Sequence, residues 1–116
     1  MPSNNQEVLN IKFKISDDLE YVIDTDKIVT IIEKQDHKFQ KLFRKLKFRI
    51  PEYKKVTLDE YGSYVFTQID GNKTVKDIGE NLEEKYGAEA HPLYERLLLF
   101  LNHIEVNCHY IEKINF

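Results

Sequence analysis

The chain has 116 residues, 41% of them hydrophobic and 32% charged, with a formal net charge of −3. That length and balance suit a single globular domain, residues 1–116, and leave out disordered and fibrous classes. No apolar run reaches the roughly 18–20 residues of a membrane-spanning helix, and the lone cysteine, Cys108, excludes an internal disulfide.

The opening, MPSNNQEVLN, is polar and lacks a charged segment followed by an apolar run, so a signal peptide is not expected. A cytoplasmic setting is expected, since a lone thiol suits a reducing compartment. Charge is unevenly spread. Between His37 and Lys55 eight lysines and arginines stand against Glu52 alone, a net +7, which leaves −10 on the rest of the chain. A basic strip on an acidic body implies an anionic contact, either with an outside partner or with the body itself.

In chain order, Leu9, Ile11, Phe13 and Ile15 alternate with polar residues at a period of two, which predicts a strand. LEYVI (19–23) and KIVTIIE (27–33) are β-branched and aromatic and flank Asp24-Thr25-Asp26, which predicts a hairpin whose turn lacks glycine. Both arms carry apolar residues at consecutive positions, so they are covered on more than one side or present a contact surface. Phe39, Leu42, Phe43 and Leu46 then fall at i, i+3, i+4, i+7, an amphipathic helix over 38–49 with a basic opposite face. Pro51 ends it. YKKVTL (53–58) reads as a short strand, and its Lys54-Lys55 pair is what an exposed edge carries.

Asp59 is placed to cap a helix bearing Tyr61, Tyr64, Val65 and Ile69 on one face, with Gly62 marking a close approach. Asp70-Gly71-Asn72 is a turn. Thr74, with Asp77 three residues on, predicts a capping box for a second helix that buries Val75, Ile78, Leu82 and Tyr86 and ends at Gly87. A third helix begins with Pro92 at its first position. Its stripe is Tyr94, Leu97, Leu98, Leu101 and Ile104, widened by Leu99 and Phe100. The tail adds a short strand through Tyr110, Ile111 and Ile114. The fold class is α+β: N-terminal antiparallel strands followed by a three-helix bundle, winged-helix-like.

Little here carries chemistry. His103, Cys108 and His109 lie close in sequence, but no second ligand pair stands at structural-zinc spacing. Cys108 beside His109 is not a thiol–imidazole pair by adjacency alone. No glycine-rich phosphate loop occurs, and the carboxylate pairs sit where turns, caps and solvated faces want them. The expectation is a protein that is not an enzyme and needs no metal or other cofactor. A nucleic-acid-binding winged helix is one alternative, although the second and third helices are mostly acidic and phosphate contact needs the reverse. A regulatory or membrane-surface adaptor using the basic helix 38–49 is another, set against simple burial of that helix on the domain.

Leu58-Asp59, Ile69-Asp70-Gly71, Lys73-Thr74-Val75 and Asp77-Ile78 form a spacing that resembles the PqqD-like family, small proteins related to pyrroloquinoline quinone synthesis protein D. The likeness covers about Tyr53 to Ile111, within a core of about 19–111. Residues about 36–50 are an insertion against the shortest members. The resemblance implies a winged-helix-like fold and the role of a recognition element, or peptide chaperone. Such a protein binds the leader segment of a ribosomally made precursor peptide and presents it to a modifying enzyme, commonly a radical SAM enzyme. It also implies a cleft between strand 53–58 and the third helix. Tyr53, Lys54, Lys55, Val56 and Thr57 would supply the strand edge, with Tyr94, Leu97, Leu98 and Leu101 opposite. Ordinary core packing is the other reading of those leucines. An extended peptide completing an exposed edge by main-chain hydrogen bonds is a physically sound mode, and Lys54 and Lys55 would attract an acidic leader.

Overall fold

The computed structural model describes residues 5–34 and 53–114. The expected basic helix 38–49 lies outside the described residues. The elements are α1 (Asn5–Leu9), β1 (Phe13–Ile15), β2 (Glu20–Ile23), β3 (Val29–Lys34), β4 (Tyr53–Thr57), α2 (Glu60–Thr67), α3 (Val75–Tyr86), a 3₁₀ turn (Gly87–Ala90), α4 (Leu93–Asn102), a π turn (His103–Asn107) and β5 (Ile111–Lys113). This is an α+β architecture with antiparallel strands. Two compact units form, residues 18–63 and residues 1–17 with 64–116. Among the described residues no helix is long and apolar enough to cross a membrane.

Unit 18–63 is a three-stranded antiparallel sheet in the order β2-β3-β4. The predicted hairpin forms, with Tyr21 opposite Ile31 and Ile23 opposite Val29. Its turn works without glycine because Lys27 takes the left-handed conformation, φ 66°. Asp24 holds it there, accepting from the Asp26 and Ile28 amides at 2.8 and 3.0 Å. Central Val29 and Ile31 are fully buried. The Val29 amide donates to Ser63 Oγ at 2.9 Å, which ties the start of α2 to the middle strand. Asp59 caps α2 as expected, accepting from the Gly62 amide at 2.7 Å. Gly62 is buried.

In the other unit, a capping box starts α3. Thr74 Oγ1 accepts from the Asp77 amide at 3.1 Å and Asp77 Oδ2 from the Thr74 amide at 3.0 Å. Gly71 has φ +84°, and Asp70 closes its turn by accepting from the Asn72 and Lys73 amides at 2.9 and 3.0 Å. Val75, Ile78 and Leu82 are buried as predicted, whereas Tyr86 is half-buried. Its ring stands edge-on to Tyr64 at 5.9 Å. Phe66, absent from the predicted stripe of α2, is the largest fully buried side chain among the described residues.

Three further expectations are corrected. Leu9 belongs to α1, not to a strand. The period of two runs only over 11–15, and before it polar Asn5-Gln6-Glu7 closes a helical turn, with the Ile11 amide donating to Val8 O at 3.2 Å. Pro92 is the cap residue before α4 rather than its first helical position. Leu99 does not widen the buried stripe. It is 73% exposed, because Leu97, Leu101 and Ile104 already fill the inward face. The expected tail strand forms, and as β5 it pairs with β1, Phe13 opposite Lys113, in a second sheet of two strands.

Candidate peptide-binding site

β4 borders its sheet, pairing with β3 alone among the described residues. The direction of its backbone follows from one bond. The Leu58 amide donates to Val29 O at 2.9 Å, so the Leu58–Val29 pair is bonded inward. Bonded and non-bonded pairs alternate along an antiparallel ladder. With Val56 opposite Ile31 and Lys54 opposite Glu33, Val56 and Lys54 also bond inward. Tyr53, Lys55 and Thr57 turn their N–H and C=O groups outward, to the edge. Lys54, Lys55 and Thr57 are exposed and Val56 half-buried. Thr57 Oγ1 lies 3.2 Å from Thr30 Oγ1 on the neighbouring strand, which fixes that side chain over the sheet.

On α4 the four predicted residues divide. Leu97 and Leu101 are buried, at 0% and 1% exposure. Tyr94 and Leu98 are half-buried and line a groove of about 410 Å³ with Val8, Leu9 and Glu95. An adjoining hollow of about 220 Å³ shares Val8 and Leu98 and reaches Leu101 and Phe13. Sequence reading missed Val8 and Leu9 as groove residues, because Leu9 was expected in a strand and the polar opening around Val8 carries no helical signal. Tyr94 rests on α3 where Gly79 has no side chain. A Cβ there would meet the ring, with Cζ at 2.7 Å and the hydroxyl at 2.8 Å. Burial, with the carboxylates of Glu80, Asp77 and Glu83 nearby, pushes the Tyr94 phenol up. It therefore stays a neutral hydrogen-bond donor at physiological pH.

The β4 edge belongs to residues 18–63, and the α4 groove to residues 1–17 with 64–116. Among the described residues no three His, Cys, Asp or Glu side chains gather to hold a metal ion. Cys108 Sγ sits 3.5 Å from His103 Nε2, so the histidine beside it in space is not the one beside it in sequence.

A family model described as Coenzyme PQQ synthesis protein D (PqqD) matches residues 50–107. The chain belongs to the PqqD family. The match takes in β4, α2, α3, α4 and the π turn, and leaves out the hairpin and the β1–β5 ladder. No curated protein and no solved structure matches the chain. Membership implies a peptide-binding accessory role rather than a catalytic one. The residues that carry the PqqD spacing are structural here. Asp59 and Thr74 cap helices, Asp70 and Gly71 make the turn between them, Asp77 completes the capping box, and Ile78 is buried. They build the scaffold.

Proposed function

We propose that this PqqD-family protein binds the leader segment of a ribosomally made peptide by strand addition at β4 and presents it to a modifying enzyme, in this family's case a radical SAM enzyme. The observation that carries the reading is that β4 borders its sheet among the described residues. Lys55 and Thr57 direct main-chain donors and acceptors outward at every second residue, and Lys54 and Lys55 supply positive charge for an acidic segment. The apolar groove under Tyr94 and Leu98 belongs to the other unit and is a separate surface suited to apolar side chains. A nucleic-acid role through α3 is disfavoured by its exposed Asp77, Glu80, Glu83 and Glu84 against Lys76 and Lys85.

The test uses peptides recovered with the chain from its native host, identified by mass spectrometry and titrated by calorimetry. Thr57→Pro removes an outward donor that the protein's own ladder does not use. A peptide carbonyl left without its donor costs about 1–3 kcal/mol, so binding should weaken about 5- to 150-fold with circular dichroism unchanged. Val56→Pro instead removes an inward bond to buried Ile31 and should destabilise the sheet itself. A folded Thr57→Pro variant of unchanged affinity would falsify docking along β4.

A further inference from the structure

The opposite border of the same sheet is built differently. β2 pairs with β3 alone among the described residues. Its three consecutive apolar residues Tyr21, Val22 and Ile23 are 39%, 54% and 49% exposed. Cross-strand register puts Tyr21 and Ile23 on the face of Ile31 and Val29, and Val22 on the face of Thr30. Beyond Glu20, β2 is therefore apolar on both faces, the pattern of an interior strand rather than of a border. Borders are normally blunted by charge within the strand. β4 follows that rule with Lys54 and Lys55 inside the strand, whereas β2 carries one charge, Glu20, at its first position and none among the three residues after it.

Charge instead brackets β2. Asp18 and Glu20 precede the apolar residues and Asp24 and Asp26 follow them, all four exposed, with Lys27 the one basic residue between 18 and 27. Because Val29 directs its C=O toward Leu58 on β4, the Ile23–Val29 pair is not bonded, and Ile23 turns its N–H and C=O away from β3. Symmetric pairing of β2 with a second copy of itself, centred on Val22, would set Glu20 against Asp24, like charges directly opposed. An occupant with apolar residues at its middle and cations at its ends meets both features.

We infer that β2 is a second docking edge, separate from β4, which takes an extended segment of a partner protein with an apolar centre flanked by lysine or arginine. The segment adds as a fourth strand beside β2. Its apolar side chains cover Val22 on one face and Ile23 on the other, and its basic ends lie against Asp18 and Glu20 and against Asp24 and Asp26. This docking does not depend on what β4 binds.

The probe is the synthetic peptide Lys-Lys-Thr-Val-Ile-Val-Thr-Lys-Lys, titrated into the full ¹⁵N-labelled chain and followed by NMR, with a Glu-flanked version as control. Binding should shift the Ile23 amide and slow its hydrogen exchange, leave Lys55 and Thr57 unmoved, and weaken as salt rises. The Glu-flanked peptide should bind at least tenfold more weakly. Glu20→Lys and Val22→Lys, both at exposed positions, should each cost about tenfold while the β4 amide shifts stay as in the parent. Shifts confined to β4, or equal affinity for the two peptides, would overturn the proposal. So would an Ile23 amide already protected in the peptide-free chain. Protection that grows with concentration would assign the edge to a second copy, and protection independent of concentration would assign it to another segment of the same chain.

Discussion

Replacing Gly79 by alanine separates two opposed effects that the structure lets one size individually. Inside a helix alanine is better than glycine by about 0.8–1.0 kcal/mol, and Gly79 lies near the middle of α3. Against that, the new methyl would occupy space held by the Tyr94 ring, whose Cζ and hydroxyl would stand 2.7 and 2.8 Å away. Ordinary contact begins near 3.4 Å, so the ring must leave the α3 surface. It would give up its packing there and its approach to the Lys76 carbonyl at 3.5 Å. Crowding of this kind costs about 1–3 kcal/mol. The expected net for Gly79→Ala is a loss of about 0–2 kcal/mol, a fall in Tm of up to roughly 8 °C at this chain length. In a Tyr94→Ala background the ring is gone and the same substitution should stabilise by about 1 kcal/mol. Urea or thermal unfolding of the four proteins of that cycle measures a coupling of about 1–3 kcal/mol. If Gly79→Ala stabilises the parent as much as it stabilises Tyr94→Ala, Gly79 is not there to seat the ring.

Three further outcomes follow from caps and core. Thr74→Ala should cost about 0.5–2 kcal/mol through loss of the α3 cap. The same box gives a pH dependence: the Thr74 amide and hydroxyl hold the Asp77 carboxylate below its ordinary value. A depressed folded pKa stabilises above the unfolded pKa, about pH 4, and that contribution is lost as pH falls through the folded value. The Tm gap between the parent and Asp77→Asn should therefore narrow from pH 7 to pH 3; a gap constant across that range contradicts the bonded carboxylate. On α4, Leu97→Ala should cost about 2–5 kcal/mol in urea unfolding, and Leu99→Gln less than about 0.5 kcal/mol. Equal losses would mean that the inward face is misassigned.

Local chemistry was readable wherever it was self-contained. The caps at Asp59 and Thr74, the turn at Asp70-Gly71 and the stop at Gly87 each depend on residues within four positions of one another, so spacing alone reveals them. The hairpin was readable for the same reason, although its turn needed Lys27 in an unfavourable conformation that composition does not announce. Long-range choices were hidden. β1 and β5 are about a hundred residues apart and each has three residues, too few for a pattern to specify a partner. α4 is apolar nearly all round, so periodicity could not separate buried Leu97 from exposed Leu99. At the candidate site, the alternation of Tyr53, Lys55 and Thr57 was visible in the chain. Which set turns outward became readable only from the single Leu58–Val29 bond.

The β1–β5 ladder brings the two arms of the chain together, with Phe13 facing Lys113 at the interstrand spacing of about 4.8 Å. The Gly71 and Val75 amides add to the clasp by bonding to Phe13 O and Ile11 O, both at 3.0 Å. A polypeptide that enters this fold at one arm and leaves by the other comes back almost to its starting point. The fold can thus be spliced into a loop of a larger protein without prising that loop open, and a short linker could join its arms while new ends are cut at the 24–28 bend.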